Sequence, residues 1–226
     1  MKLTYLGHSA FLLNTLGKTI LFDPFITPNP IAAHIDVTTL NPDYILISHA
    51  HSDHIADLVT IAHQSNAKVI ANWEIIQWCA AQGLTNLHPM NTGGKFSFDI
   101  GTVHATIAQH SSSFADGTYG GNPMGFVIQN QEATLYYAGD TALTLDMQIL
   151  AKKFSINTAI LPLGDNFTMD YNDAIMAASY INCGNIVGMH YDTFDMIAID
   201  HDAAIQGFEQ AGKSLFLPSI GQSFDI

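Results

Sequence analysis

The chain has 226 residues, of which 48% are hydrophobic and only 12% charged, a composition suited to one well-buried globular domain over residues 1–226. Seven lysines, no arginine and 20 Asp+Glu give a net charge of −13. No basic run can neutralise a nucleic-acid backbone, and arginine's two-pronged grip on phosphate is missing, so small or neutral substrates are favoured over polyanions.

No apolar run approaches the roughly 18 residues of a membrane span. Met1–Leu6 reads directly as a first strand and not as an export leader. Cys79 and Cys183 have no Cys-x-x-Cys partner and read as reduced thiols. These features point to a cytoplasmic protein that binds neither membrane nor nucleic acid.

In chain order, residues 3–13 and 19–25 read as a hairpin about the turn region 14–18. Tyr44–Ser48 is a short buried strand after the turn signal Asn41-Pro42-Asp43, and Ile55, Leu58, Val59, Ile61 and Ala62 place a helix over 53–65. A strand at 68–71 and a helix at 74–82, ended by Gly83, follow. Strands are predicted at 96–100, 102–108, 125–129 and 134–138, then a helix at 145–154. The chain closes with a strand at 158–163, a helix at 171–181, a strand at 185–189, a helix at 202–211, a strand at 214–217 and a short C-terminal strand. Each half is thus rich in strands first and alternates strand with helix afterwards. That order fits two sheets inside and helices outside.

The densest chemistry is His49-Ala50-His51-Ser52-Asp53-His54, at the junction of the strand ending at Ser48 and the helix after it. Neutral imidazoles with a carboxylate suit a transition-metal site. In a near-extended loop His49 and His51 project to one side and can share an ion. Asp53 and His54, where the chain turns into the helix, can face a second ion at the ~3.5–4 Å spacing of two-metal sites. More candidates stand at or just beyond the ends of apolar segments: His110 after 103–108, Asp140 in Gly139-Asp140-Thr141, and His190 after 185–189. A shared placement at strand ends is what a site along one sheet edge requires.

The pattern His-x-His-x-Asp-His, a distant His, Gly-Asp-Thr and a late His resembles the metallo-β-lactamase-fold hydrolases. Leu6–Phe11, Leu21–Phe25 and His190–Phe194 narrow the likeness to uncharacterised hydrolases akin to ascorbate-6-phosphate lactonase. The resemblance implies a four-layer α/β/β/α sandwich. It implies that His49, His51 and His110 hold one divalent ion, that Asp53, His54 and His190 hold another, and that Asp140 bridges them. Zn2+ or Mn2+ is the expected metal, with Ni2+ or Fe2+ open. β-Lactamases of this fold commonly carry Cys where Asp140 stands, so antibiotic hydrolysis is not expected.

The expected reaction is metal-assisted attack of water on a small ester or lactone, with Asp53 orienting the nucleophile and moving a proton. A phosphodiesterase or nuclease on the same core is the alternative, and a di-iron redox protein is another. His8, in Gly7-His8-Ser9, is a second catalytic candidate that could touch substrate or support a ligand. Asp23 reads as a turn or supporting residue, and Asp165 as a ligand support or a loop cap. Tyr191 reads as a substrate contact or as packing. Trp73 and Trp78 read as packing, and His34, His63, His88, His104 and His201 as surface or structural. An exposed apolar helix face could support a homo-oligomer.

Overall fold

The computed structural model describes residues 1–226. Its first half runs β1 (Lys2–Gly7), β2 (Ala10–Thr15), β3 (Lys18–Phe22), β4 (Tyr44–Leu46), α1 (Ser52–Ile55), α2 (Leu58–Ser65), β5 (Lys68–Ala71), α3 (Trp73–Ala81) and β6 (Leu87–Pro89). Its second half runs β7 (Lys95–Phe98), β8 (Gly101–Ile107), β9 (Met124–Gln129), β10 (Thr134–Tyr137), α4 (Met147–Lys153), β11 (Thr158–Pro162), α5 (Tyr171–Tyr180), β12 (Asn185–Met189), α6 (His201–Gln210) and β13 (Ser214–Phe216). A last strand, β14 (Ser223–Asp225), crosses back to pair with β1.

The strands form two seven-stranded sheets, ordered β14-β1-β2-β3-β4-β5-β6 and β13-β12-β11-β10-β9-β8-β7. A cluster of 41 buried residues joins the facing sides of both sheets, Phe11 and Phe22 from one and Phe126 and Tyr137 from the other, and continues beneath α5 and α6 through Ala177 and Phe208. A separate cluster of 21 packs α2 and α3 on the outer side of the first sheet through Ile45, Val69, Ile61 and Ile75. The result is the predicted α/β/β/α sandwich. Every residue of β10 and β11 is buried, as expected of strands covered on both faces. Asn72, Asp170 and Asp200 cap α3, α5 and α6 by accepting the N–H three residues on. No helix is long and apolar enough to cross a membrane.

Three expectations change. The segment 3–13 is two strands, because the chain reverses at His8, whose φ of 54° lies in the left-handed region. The helix expected over 53–65 is broken at Ala56-Asp57, where the Asp57 carboxylate accepts the N–H groups of Ile26 and Thr27 and so leaves the helical path. The edge strand β6, which contains a proline, carries no period-two signal and is not anticipated.

Candidate metal centre

Strands β1, β3, β4 and β5 of the first sheet, and β8, β10, β11 and β12 of the second, end at one rim of the sandwich. All seven predicted ligands come together there. Backbone bonds stitch the halves across it: His190 N–H donates to His8 O (2.9 Å) and Met124 N–H to Ser48 O (3.0 Å).

Side-chain atoms of His49, His51 and His110 lie within 4.8 Å of one another, and so do those of Asp53, His54 and His190, with His8 completing the second group. Asp140 stands between the groups. Its Oδ2 lies 2.9 Å from His190 Nε2, 3.2 Å from His54 Nε2, 3.7 Å from His110 Nε2 and 3.9 Å from His49 Nε2. Its Oδ1 is buried with no hydrogen-bond partner.

The supporting contacts fix which ring nitrogen faces inward. Asp23 is fully buried and gathers four donors: Ser48 N–H (2.8 Å), Ser48 Oγ–H (2.5 Å), His54 Nδ1–H (2.8 Å) and Tyr137 O–H (2.7 Å). With its Nδ1 proton on Asp23, His54 turns a bare Nε2 toward Asp140. Ser48 Oγ spends its own hydrogen on Asp23, so it must accept from His49 Nδ1–H at 2.9 Å, which bares His49 Nε2. That nitrogen faces His51 Nδ1 at 2.9 Å. A carboxylate supporting a ligand imidazole from behind is the usual outer arrangement of a metal site.

These contacts test whether a cation fits. His54 Nε2 is buried without a hydrogen-bond partner and points its lone pair at a carboxylate oxygen. Two electron-rich atoms in that position require positive charge between them, a proton or a metal ion. Burial opposes charge on His54, yet Asp140 and Asp23 outweigh it and raise the ring well above its ordinary pKa. Burial likewise opposes the Asp140 carboxylate, and His190 and His54 hold it well below the usual range. Burial lowers His49, His51 and His110, which favours the neutral imidazoles that metals bind. The donor set fits divalent ions.

His8 is fully buried and takes part in a chain that the sequence does not reveal. Its Nε2 lies 3.1 Å from Asp53 Oδ2 and its Nδ1 2.9 Å from Thr193 Oγ1. Burial lowers its pKa to about 4, so the ring is neutral. An ionised Asp53 can only accept, so Nε2 carries the hydrogen and Nδ1 accepts from Thr193. His8, Asp23 and His190 all have left-handed backbone, with φ of 54°, 38° and 55°. Non-glycine residues held so are strained, and such strain gathers at functional sites.

The loop residues divide. Gly164 lies so close to His190 that a Cβ on it would meet the His190 carbonyl oxygen at 2.1 Å. Asp165 closes its own turn by accepting Asn166 N–H at 2.7 Å, which favours the loop-cap reading. Tyr191 is buried against Tyr5, with ring centroids 6.4 Å apart, and so packs. Trp78 stacks on Phe114 as expected of packing, whereas Trp73 opens α3 and is exposed. The supporting roles of Ser48, Tyr137 and Thr193 have no sequence signal, because each sits in a segment that reads as strand or loop.

The rim and its ligand groups define a protein of the β-lactamase superfamily type, and residues 2–190 match the β-lactamase superfamily domain. The chain belongs to that family and, within it, to the UPF0173 metal-dependent hydrolases. It is 50% identical over 226 residues to the member from Flavobacterium johnsoniae, covering 100% of both chains. It is 49% identical over 209 residues to that of Methylacidiphilum infernorum, covering 92% of each. Among solved structures, Igni18, a metallo hydrolase from the hyperthermophilic archaeon Ignicoccus hospitalis, superposes with a TM-score of 0.90 at 33% identity, over 100% of this chain and 98% of that one.

Proposed function

We propose that this chain is a cytoplasmic two-metal hydrolase of a small, uncharged ester or lactone. One observation carries the reading: Asp140 Oδ2 lies between two ligand groups, within 4 Å of four inward-facing ring nitrogens. On this reading His49, His51 and His110 would hold one divalent ion, Asp53, His54 and His190 would hold the other, and Asp140 would serve both groups. Such ions lower the pKa of water from 15.7 to roughly 7 and polarise a carbonyl oxygen.

The chain's own residues supply the rest. Asp53 is the part-exposed carboxylate of the site, with 30% of its side chain open. It engages His8 through Oδ2, which leaves Oδ1 to orient water or take up a proton. His8, braced by Thr193, keeps that carboxylate in place. The names of the family members and of Igni18 support the reaction class. The ester or lactone rests on the resemblance carried by Leu6–Phe11 and His190–Phe194. No lysine joins the contacts at the rim, which favours an uncharged substrate.

The test is elemental analysis of protein purified without added metal, paired with lactones, carboxyl esters and a phosphodiester assayed with and without chelator. The expected result is close to two zinc or manganese ions per chain, with lactone or ester turnover that chelator abolishes. Turnover of the phosphodiester alone would replace the substrate class. Two irons without hydrolysis would replace the reaction.

A further inference from the structure

A cavity of about 260 Å³ lies away from the metal centre, between the outer side of β8 and helix α4. Part of its wall is apolar, formed by Ile107, Ile149, Leu150 and Phe154. One polar atom on that wall, His104 Nε2, is buried without any hydrogen-bond partner. Thr106 is only 6% exposed. Residues two apart on a strand share a face, so His104 and Thr106 project to the same side. Both line the cavity. The buried hydroxyls of Thr106 and Tyr136, on the same sheet, serve each other. A buried polar atom left unpaired is costly, so His104 Nε2 calls for an occupant beside it.

The charge around the cavity says what kind. Lys95 lies directly across from His104 in the β7–β8 register. Lys153 is a lining residue at the far end of α4, beside Phe154. Burial and the charges of these two lysines hold the His104 ring below its ordinary pKa. Two of the chain's seven cations therefore converge on one imidazole in a molecule of net charge −13. Asp146 stands at the opposite end of α4, so the cavity is positive at one end only. The volume lies just under the ~300 Å³ at which drug-sized sites begin.

We infer that this cavity is a second binding site, for a small amphipathic carboxylate: its head lies beside His104 and Lys153, its apolar chain lies against Ile149 and Leu150, and the His104 side chain donates to its oxygens.

Titration calorimetry of the intact metal-loaded protein with octanoate, 1-octanol and acetate tests the site. Octanoate should bind saturably at one per chain, with octanol and acetate at least tenfold weaker. Lys153→Gln should bring octanoate down to the affinity of octanol. Ile149→Glu should weaken both eight-carbon probes. Both positions are exposed, so the variants should fold, and unchanged melting temperature checks that. Three results would overturn the inference: no saturable octanoate binding, binding that Lys153→Gln and Ile149→Glu leave unchanged, or binding that chelator abolishes. The last would place the carboxylate on the metal centre.

Discussion

The two halves of the molecule are built on one plan and put to different uses. Each sheet has three antiparallel pairings followed by three parallel ones, and β14 fills in the first the place that β7 takes in the second. Asp23 after β3 therefore corresponds to Asp140 after β10. The His49–His54 loop after β4 corresponds to the Gly164 turn after β11, and Asn72 after β5 to His190 after β12. The turn holding His8 corresponds to the loop holding His110. The backbone delivers each pair to the same rim, and the side chains decide the chemistry. Asp23 is saturated with protein donors, whereas Asp140 faces ring nitrogens and keeps one oxygen partnerless. Asn72 caps a helix and donates to Gly120 O and Asn122 O, whereas His190 Nε2 points at Asp140. A fold supplies equivalent positions, and function depends on which of them carry ligands.

The sharpest way to break this comparison is to remove the two aspartates separately. Asp140→Ala should lose metal stoichiometry and drop hydrolysis to background, the largest effect expected in the chain. Asp23→Asn keeps every ligand but mismatches one hydrogen bond of the buried cluster. It should weaken metal affinity by about 10–100-fold and stability by roughly 1–3 kcal/mol. Metal titration and thermal melts of both variants give the answer. Equal loss of metal in the two would mean that Asp23 is a ligand and that the halves are less divergent than the contacts imply.

The His8 and His110 pair makes the next test. His110→Ala should remove metal, whereas His8→Ala should keep it and lower kcat by about 10–100-fold. His8→Gln, which retains a side-chain N–H for Asp53, should recover part of that loss. Metal loss in His8→Ala as deep as in His110→Ala would make His8 a ligand, a role its place beside Asp53, His54 and His190 permits.

What the sequence made legible follows from the same asymmetry. The candidate ligand positions stood out because imidazoles and carboxylates at the ends of apolar strands have few other reasons to be there. The strands of the second half were legible as continuous apolar runs, and β12 was expected at the same bounds, Asn185–Met189. The supporting set was hidden. Tyr137 is one aromatic among buried strand residues, and its bond to Asp23 spans 114 positions. The β1–β2 reversal was hidden because only His8 and Ser9 separate the two strands, and a lone Gly7 in a strand pattern can equally mark a bulge. The break between α1 and α2 was hidden because Asp57 leaves the helix to satisfy a loop 30 residues upstream.

The equivalence of β14 with β7 can be sharpened at smaller cost. The two ends of the chain meet where Phe224 packs edge-to-face on Phe216 of β13, ring centroids 4.6 Å apart, while Leu3 pairs with Phe224 in the β1–β14 register. Phe224 is half-buried, so Phe224→Ala should cost less than the ~3–5 kcal/mol of a fully buried phenylalanine, about 1–2 kcal/mol. In a chain of this length each kcal/mol lowers the melting temperature by roughly 2–4 °C. The metal rim is built by the opposite ends of the strands, so metal content and turnover should be unchanged. An unchanged melting temperature would show that β14 merely lies along the edge of the first sheet. A loss of metal would show that the closing strand also holds the rim in place, and the two halves would then be coupled through their far ends.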